Sequence, residues 1–320
     1  MADILYISRY PFSSEAKEFI RQRRIAPDFD SIEQAKAQMR EAITSGELGR
    51  IETKVESVLE REVVGYALSR AILAAMGSRY FTGRYAVAKS KQMGKYLQRE
   101  DDATLSKVAS EFGIGIFAGA KKEFELGFAD YLRFAPRARE YKLVHKSLRN
   151  GNVRLSRNEL NRVIEEAIRL HIEEAVYALA KDAPAEIKKA AEELKQSLPR
   201  EAGTDAILTS SEESYPPCVK KLLARLRDSE NLPHVARFYL ATFLLKTGMK
   251  PEGVIKLFST APDFNEATTR YQVEYIAKKG YSVPACTGVE SWGLCVEACR
   301  VGHPLRYVKR RLAAKGEGNG

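Results

Sequence analysis

Residues 284–300 read PACTGVESWGLCVEACR and place Cys286, Cys295 and Cys299 within one short stretch. The fourth cysteine, Cys218, follows the pair Pro216-Pro217, and none precedes it. Four sulfurs confined to the last third of a chain point to convergence on one centre, so the fold reads as a cysteine-free body joined to a C-terminal module. Residues 281–304 are rich in Gly and Pro and poor in regular pattern. Such a loop-rich segment needs a cross-link to hold its shape, which favours a ligand role for the thiols.

The spacing narrows the chemistry. Cys295 and Cys299 lie four residues apart, and on a helix both would point to one side. Cys286 stands behind Pro284 in a Gly-containing loop, and Cys218 must be delivered by the fold. Structural zinc sites usually show tight CxxC knuckles, which are absent here. Thiolates gathered from irregular, distant positions suit an iron–sulfur cluster, whose bulk requires a wider cage. Spacing ranks the cluster above zinc and above four buried, unligated thiols, and leaves all three standing.

The 320 residues suffice for two domains, and 44% hydrophobic with 29% charged content is that of a soluble globular chain. No apolar run reaches the roughly 20 residues of a membrane span, and MADILYISRYPF lacks the build of a signal peptide. An intracellular, cytoplasmic protein is expected, in which clustered cysteines bind metal more often than they form disulfides. The net charge of +10 is uneven: residues 215–311 hold 16 Lys/Arg against 8 Asp/Glu, and residues 1–214 hold 35 against 33. The positive potential sits on the cysteine-bearing segment, either to meet phosphates or as a solvated surface.

The first 130 residues read as helices. Ser13-Ser14-Glu15 caps one through Phe19 and Ile20, and Ser31 starts another through Ile32, Ala35, Met39 and Ile43. Val55, Val58, Leu59, Val63, Tyr66 and Ala67 recur at the spacing of a long helix with one wide apolar face. Further helices are expected over 81–97 and through Leu105, Val108 and Phe112. Gly113, Gly115 and Gly119 suit close helix packing or a turn, since the GKS/GKT ending of a phosphate loop is missing. In residues 141–156, YKLVHKSL and VRLS flank Asn150-Gly151, a strong hairpin signal, and Ser156 then caps a helix through Val176. The expected fold is therefore mainly α. It has a helical domain over 1–197 with a small β element near 141–156, a linker over 198–214, a mostly helical cysteine domain over 215–311, and a disordered tail over 312–320.

Within the second domain, VKKLLARLR turns Lys220, Lys221 and Arg225 outward and Leu222, Leu223 and Leu226 inward. Pro233 suits the first turn of the next helix. There His234 and Arg237 share one face, while Phe238, Leu240, Ala241, Leu244 and Leu245 form the buried stripe. An Arg beside a His near a helix N-terminus can grip a phosphate; the bland alternative is an ordinary amphipathic helix. HPLRYVKRR adds Arg306, Lys309, Arg310 and Arg311. No ATP loop is visible, and no Asp-x-Asp pair on a strand stands beside basic residues to hold two metals. Asp28, Asp30, Asp101 and Asp102 read as caps and turns. These absences argue against a helicase or nuclease, and a zinc-stabilised binding adaptor is the remaining rival.

The order of motifs is specific. YPPCVKKLL, LPHVARFYLATFLLKTGM, FNEATTRYQVEYI, CTGVESWGLC, EAC and HPLRYVKRR together resemble the iron–sulfur domain of archaeal and eukaryotic DNA primase large subunits, over about 215–311. YPF followed by helices, and the KLV…VRLS hairpin, resemble the same family more loosely, and the length looks archaeal. The resemblance implies that Cys218, Cys286, Cys295 and Cys299 ligate a [4Fe–4S] cluster. It implies a non-catalytic regulatory subunit whose helical domain binds the small catalytic primase subunit. The C-terminal domain would bind single-stranded DNA template, RNA primer and the initiating nucleotide triphosphate. His234 and Arg237 fall on the family's His-x-x-Arg for the 5′-triphosphate, Gln272 on a nearby amide position and Tyr271 on a tyrosine near the nucleic acid. Lys220, Lys221 and Arg306 extend the implied nucleic-acid surface. The chain departs from the pattern at Pro233, where eukaryotic members carry Arg, and at Tyr275, where a basic or imidazole side chain is common.

Overall fold

Helix boundaries follow local capping chemistry. In the computed structural model, which describes residues 3–23, 28–118, 123–136, 138–179, 183–198 and 212–316, α1 (Ile4–Arg9) and α2 (Ser14–Arg23) precede α3 (Phe29–Ser45). The cap of α3 is Asp28, whose carboxylate accepts from the Ser31 amide at 2.8 Å. Ser31, expected to begin the helix, lies inside its first turn, because a carboxylate three residues upstream already satisfies its free amide. The chain then forms α4 (Glu56–Met76), α5 (Arg79–Leu97) and α6 (Asp102–Ser110), the last capped by Asp101.

Chain contacts divide the protein into two compact units, Met1–Pro199 and Arg200–Gly320. In the first, α5 is the central helix and is buried along most of its circumference. It packs against α8 (Arg157–Ala178), introduced below, so closely that a Cβ on Gly94 would stand 2.7 Å from a Glu165 oxygen. The buried guanidinium of Arg84 closes the end of α3: its Nε donates to the Ile43 carbonyl at 2.9 Å and its Nη2 to that of Thr44 at 3.2 Å. Those carbonyls have no partner inside the helix, so a cation there satisfies both hydrogen bonding and the helix dipole.

A small antiparallel sheet follows α6. Its strands are β1 (Ile116–Ala118), β2 (Phe124–Gly127), β3 (Leu148–Arg149) and β4 (Asn152–Leu155), in the order β1-β2-β4-β3, with α7 (Phe128–Phe134) between β2 and β3. Leu126 pairs with Val153 and Phe124 with Leu155, and this face is buried. Asn150 and Gly151 both adopt positive φ, 50° and 76°, forming the tight turn that joins β3 to β4. The sheet is larger than the expected hairpin: β1 arises among the glycines expected to give close packing or a turn, and β2 within the first 130 residues, expected as helical. Gly113 does make a turn, at φ 72°, and β2 alternates buried and half-buried positions over only four residues, too short a run to stand out in the sequence. Conversely Leu143–His145 is a 3₁₀ turn, and of the YKLVHKSL stretch only its last residue, Leu148, pairs as strand, together with Arg149. Lys146 beside it reaches Glu159.

Helix α8 opens with a reciprocal capping box between Ser156 and Glu159, and α9 (Ala185–Ser197) packs on α4. Most of the expected linker, residues 199–211, lies outside the described residues, while Glu212–Ser214 forms a 3₁₀ turn. The second unit comprises α10 (Pro217–Arg227), α11 (His234–Lys246), α12 (Pro251–Phe258), α13 (Glu266–Lys279), α14 (Cys286–Ser291) and α15 (Pro304–Gly316). Helix α15 continues to Gly316, into the stretch expected as a disordered tail; residues 317–320 lie outside the described residues. About 68% of the chain is helical, so the fold is mainly α with a small β element.

Candidate metal centre and anion-binding face

Pro217 at the first position of α10 directs Cys218 into the second unit's core, next to the buried ring of Tyr239 on α11. The Cys218 sulfur and the Tyr239 hydroxyl stand 3.2 Å apart. Cys286 opens the short helix α14, and its amide donates to the Gly302 carbonyl at 3.1 Å. That bond ties the start of the cysteine segment to its end. His303 locks the same junction: its Nδ1 accepts from the Leu305 amide at 3.2 Å, so Nε2 carries the proton and donates to the Val283 carbonyl at 3.1 Å.

Cys295 and Cys299 do not share a helix, contrary to the four-residue spacing. Gly293 (φ 68°) and Arg300 (φ 52°) hold left-handed backbone that a helix cannot continue through. The irregular loop between them still aims both thiols at one point, since each donates to the Glu297 carbonyl at 3.4 Å. All four cysteines line one cavity of about 360 Å³.

Burial pushes the Cys218 thiol up, partly offset by the Tyr239 contact, and burial followed by repulsion from Cys218 and Cys295 pushes up Cys286. Cys299 is raised by burial and then by Glu297. The Cys218, Cys286 and Cys299 thiols therefore resist ionisation unless a cation is supplied, and the donor set is soft sulfur. Among the described residues no three His, Cys, Asp or Glu side chains stand close enough to hold a metal ion.

On the other side of α11 lies a second cavity, of about 260 Å³. His234 is exposed at the first helical position and Arg237 follows one turn later. The Arg237 fork is already oriented, with Nε donating to the Leu232 carbonyl at 2.9 Å and Nη2 pairing with Asp263 at 2.5 Å. From α13, Tyr271 and Gln272 line the same cavity. Its walls are aromatic: Tyr271 stacks near Tyr275 at 6.1 Å, and Phe238 meets Tyr281 edge-on at 5.6 Å. Phe238, expected in the buried stripe, is half-buried and belongs to this wall, while Tyr239 takes the core position. Leu245 is also only half-buried.

The fold thus brings His234, Arg237, Tyr271 and Gln272 together. Lys220 and Lys221 are exposed on α10, where Lys220 donates to the Glu213 carbonyl at 2.9 Å, and Arg306 is exposed on α15; none of the three lines either cavity. Asp263 and Tyr281 were not singled out from sequence, and Phe238 was assigned to the buried stripe; a one-residue offset from Arg237 gives no signal of a shared face.

Comparison with known proteins follows the same residues. The family model for the C-terminal domain of eukaryotic and archaeal DNA primase large subunits matches residues 208–312. The DNA primase large subunit PriL of Methanocella arvoryzae is 34% identical over 330 residues, covering 96% of this chain and 89% of the relative. That of Methanococcoides burtonii is 31% identical, covering 98% and 94%. That of Archaeoglobus fulgidus is 34% identical over 259 residues, covering 77% and 67%.

Proposed function

The chain belongs to the DNA primase large-subunit family of archaea and eukaryotes, and from that premise we propose that it is the non-catalytic, regulatory member of a primase heterodimer. It serves RNA primer synthesis for DNA replication, inside the cell and alongside the replisome. The observation that carries the reading is the double use of α11. Arg237 and Tyr239 are two residues apart and so project to opposite sides of that helix. On one side Tyr239 meets Cys218, and on the other His234 and Arg237 line the second cavity.

Cys218, Cys286, Cys295 and Cys299 would hold a [4Fe–4S] cluster. The all-sulfur donor set and a cavity wider than a single ion needs fit that group better than zinc. When bound, the cluster would supply a cross-link between four segments distant in sequence. The chain's own residues do the rest. With Cys218 as a thiolate ligand, the Tyr239 hydroxyl would donate a hydrogen bond to its sulfur and so tie α11 to the centre.

Anchored in this way, α11 presents His234 and Arg237 to the 5′-triphosphate of the initiating nucleotide. The guanidinium offers charge-assisted bonds, and Gln272 adds an amide. Tyr271 and Tyr275 give a stacking surface for a base of the template–primer. Lys220, Lys221 and Arg306 add non-specific attraction for backbone phosphate.

The helical unit would bind the small catalytic subunit. Phe128 and Leu132, four apart on α7, are 48% and 57% exposed, the kind of apolar surface a permanent partner covers. Residues 198–214 would act as the linker that lets the small subunit's active site advance while the primer's 5′ end stays held. Such tethering raises effective concentration. Anaerobic purification with iron, sulfide and visible absorbance analysis tests the metal centre. A colourless protein with one stoichiometric zinc would overturn the cluster and favour a zinc-stabilised adaptor.

A further inference from the structure

The helical unit contains a cationic cavity that the reading above does not use. It has a volume of about 390 Å³, and its polar lining is Arg9 from α1, Arg50, Glu52, Thr53 and Lys54 from the segment before α4, Tyr96 from α5, and Arg99 just beyond α5. Four cations and one acid meet here, in a unit that holds 34 Lys/Arg against 29 Asp/Glu. Two are already engaged: Arg9 pairs with Glu100 at 2.9 Å and Arg50 with Glu52 at 2.8 Å. Lys54 and Arg99 are exposed and have no acidic partner among the described residues.

The walls are held in place from inside the unit. The buried Tyr96 hydroxyl accepts from the Ile51 amide at 2.7 Å, and the buried Gln92 amide donates to the Gly49 carbonyl. These two bonds fix the otherwise irregular segment that carries Arg50, Thr53 and Lys54. The Arg9 guanidinium lies 5.4 Å from the Tyr96 ring centre, and its buried Nε has no partner. Tyr96 is only 6% exposed, so the cavity offers charge but no aromatic face for a base.

We propose that this cavity holds phosphate groups of a single-stranded nucleic-acid backbone, as a sequence-independent contact separate from the C-terminal cavities. Excess positive charge without a stacking surface matches backbone positioning rather than base recognition. A family that works on single-stranded template places such a ligand within reach. Free nucleotide triphosphate shares the phosphate chemistry, and an acidic peptide shares the charge. The volume and the two unengaged cations favour consecutive phosphodiesters.

The test uses the full chain bound to its small subunit, with Lys54→Gln and Arg99→Gln combined. Both side chains are exposed, so the fold survives. Affinity for a 5′-hydroxyl single-stranded DNA oligonucleotide is measured by fluorescence anisotropy across a salt series. Two lost phosphate contacts should flatten the slope of log K against log salt by about 1.4. The ratio of 5′-triphosphate to 5′-hydroxyl primer affinity, which reports on Arg237, should not change, so failure here is distinguishable from failure of the triphosphate reading. An unchanged slope overturns the proposal. So does an unchanged slope accompanied by loss of ATP binding, which would make the cavity a nucleotide pocket, or by loss of subunit association, which would make it a peptide site.

Discussion

Arg237→Ala removes a guanidinium whose surroundings define what should be lost. The side chain donates to the Leu232 carbonyl and pairs with Asp263, leaving the remaining donors of its fork for a ligand in the His234 cavity. Hydrogen bonds to charged partners contribute about 1.5–3 kcal/mol, so one such bond to a triphosphate corresponds to roughly 10- to 150-fold in affinity. The internal cost is small: the Asp263 side chain is 32% exposed, so water solvates the carboxylate left behind, and partly exposed pairs of this kind contribute about 0–1 kcal/mol. The assay compares two template–primers that differ only in a 5′-triphosphate or 5′-hydroxyl, at one salt concentration. Triphosphate affinity should fall by the factor above while hydroxyl affinity changes by less than about threefold, the scale left by a single screened phosphate contact. Asp263→Asn is the control, because it keeps the cation and removes its internal partner; triphosphate affinity should stay equal or rise. Equal losses for both primer ends would refute the triphosphate assignment. Asp263→Asn reproducing the loss would instead make Arg237 part of the domain's scaffold.

Tyr239→Phe keeps the ring and deletes the hydroxyl that meets Cys218. Iron content should be retained, and the midpoint potential should fall by on the order of 40 mV, the one-electron equivalent of about 1 kcal/mol of hydrogen bonding to sulfur. An unchanged potential in fully loaded protein would mean the hydroxyl does not tune the centre. His171 packs between Phe12 and Phe112, and burial, followed by Lys17 and Arg70, holds its pKa below the ordinary 6.5. The unfolded chain therefore binds the extra proton first, and stability should decline as pH falls from 6.5 toward the lower folded value. Urea unfolding between pH 7.5 and 5.5 should show that decline reduced in His171→Phe, and an identical profile would assign it to other groups. Removing residues 212–320 should leave small-subunit binding intact and impair primer initiation. Loss of subunit binding on co-purification would place that interface in the C-terminal unit.

Several features were legible because their causes are local. The capping box of Ser156 and Glu159, the Asp101 cap and the Asn150-Gly151 turn each involve groups within a few residues of one another. Short-range backbone sterics and orphan amides decide them wherever the segment sits. The strands β1 and β2 were not legible. Phe117 is 59% exposed and each strand is at most four residues, so pairing of β2 with β4 and of β1 with β2 makes them strands. The same limit explains the thiols: spacing suggested a shared helix face for Cys295 and Cys299, whereas two left-handed residues bend a loop to gather them.

By itself the sequence determined a mainly helical chain with four thiols in one cationic segment and a His-x-x-Arg at a helix start. Those properties depend on residue identity and near spacing. Tertiary structure alone decided that Tyr239 faces Cys218, that Asp263 engages Arg237, and that Arg9, Arg50, Lys54 and Arg99 line one cavity. Each joins segments whose meeting depends on how apolar faces pack, and that packing is the sum of many weak contacts along the whole chain, which no single motif records.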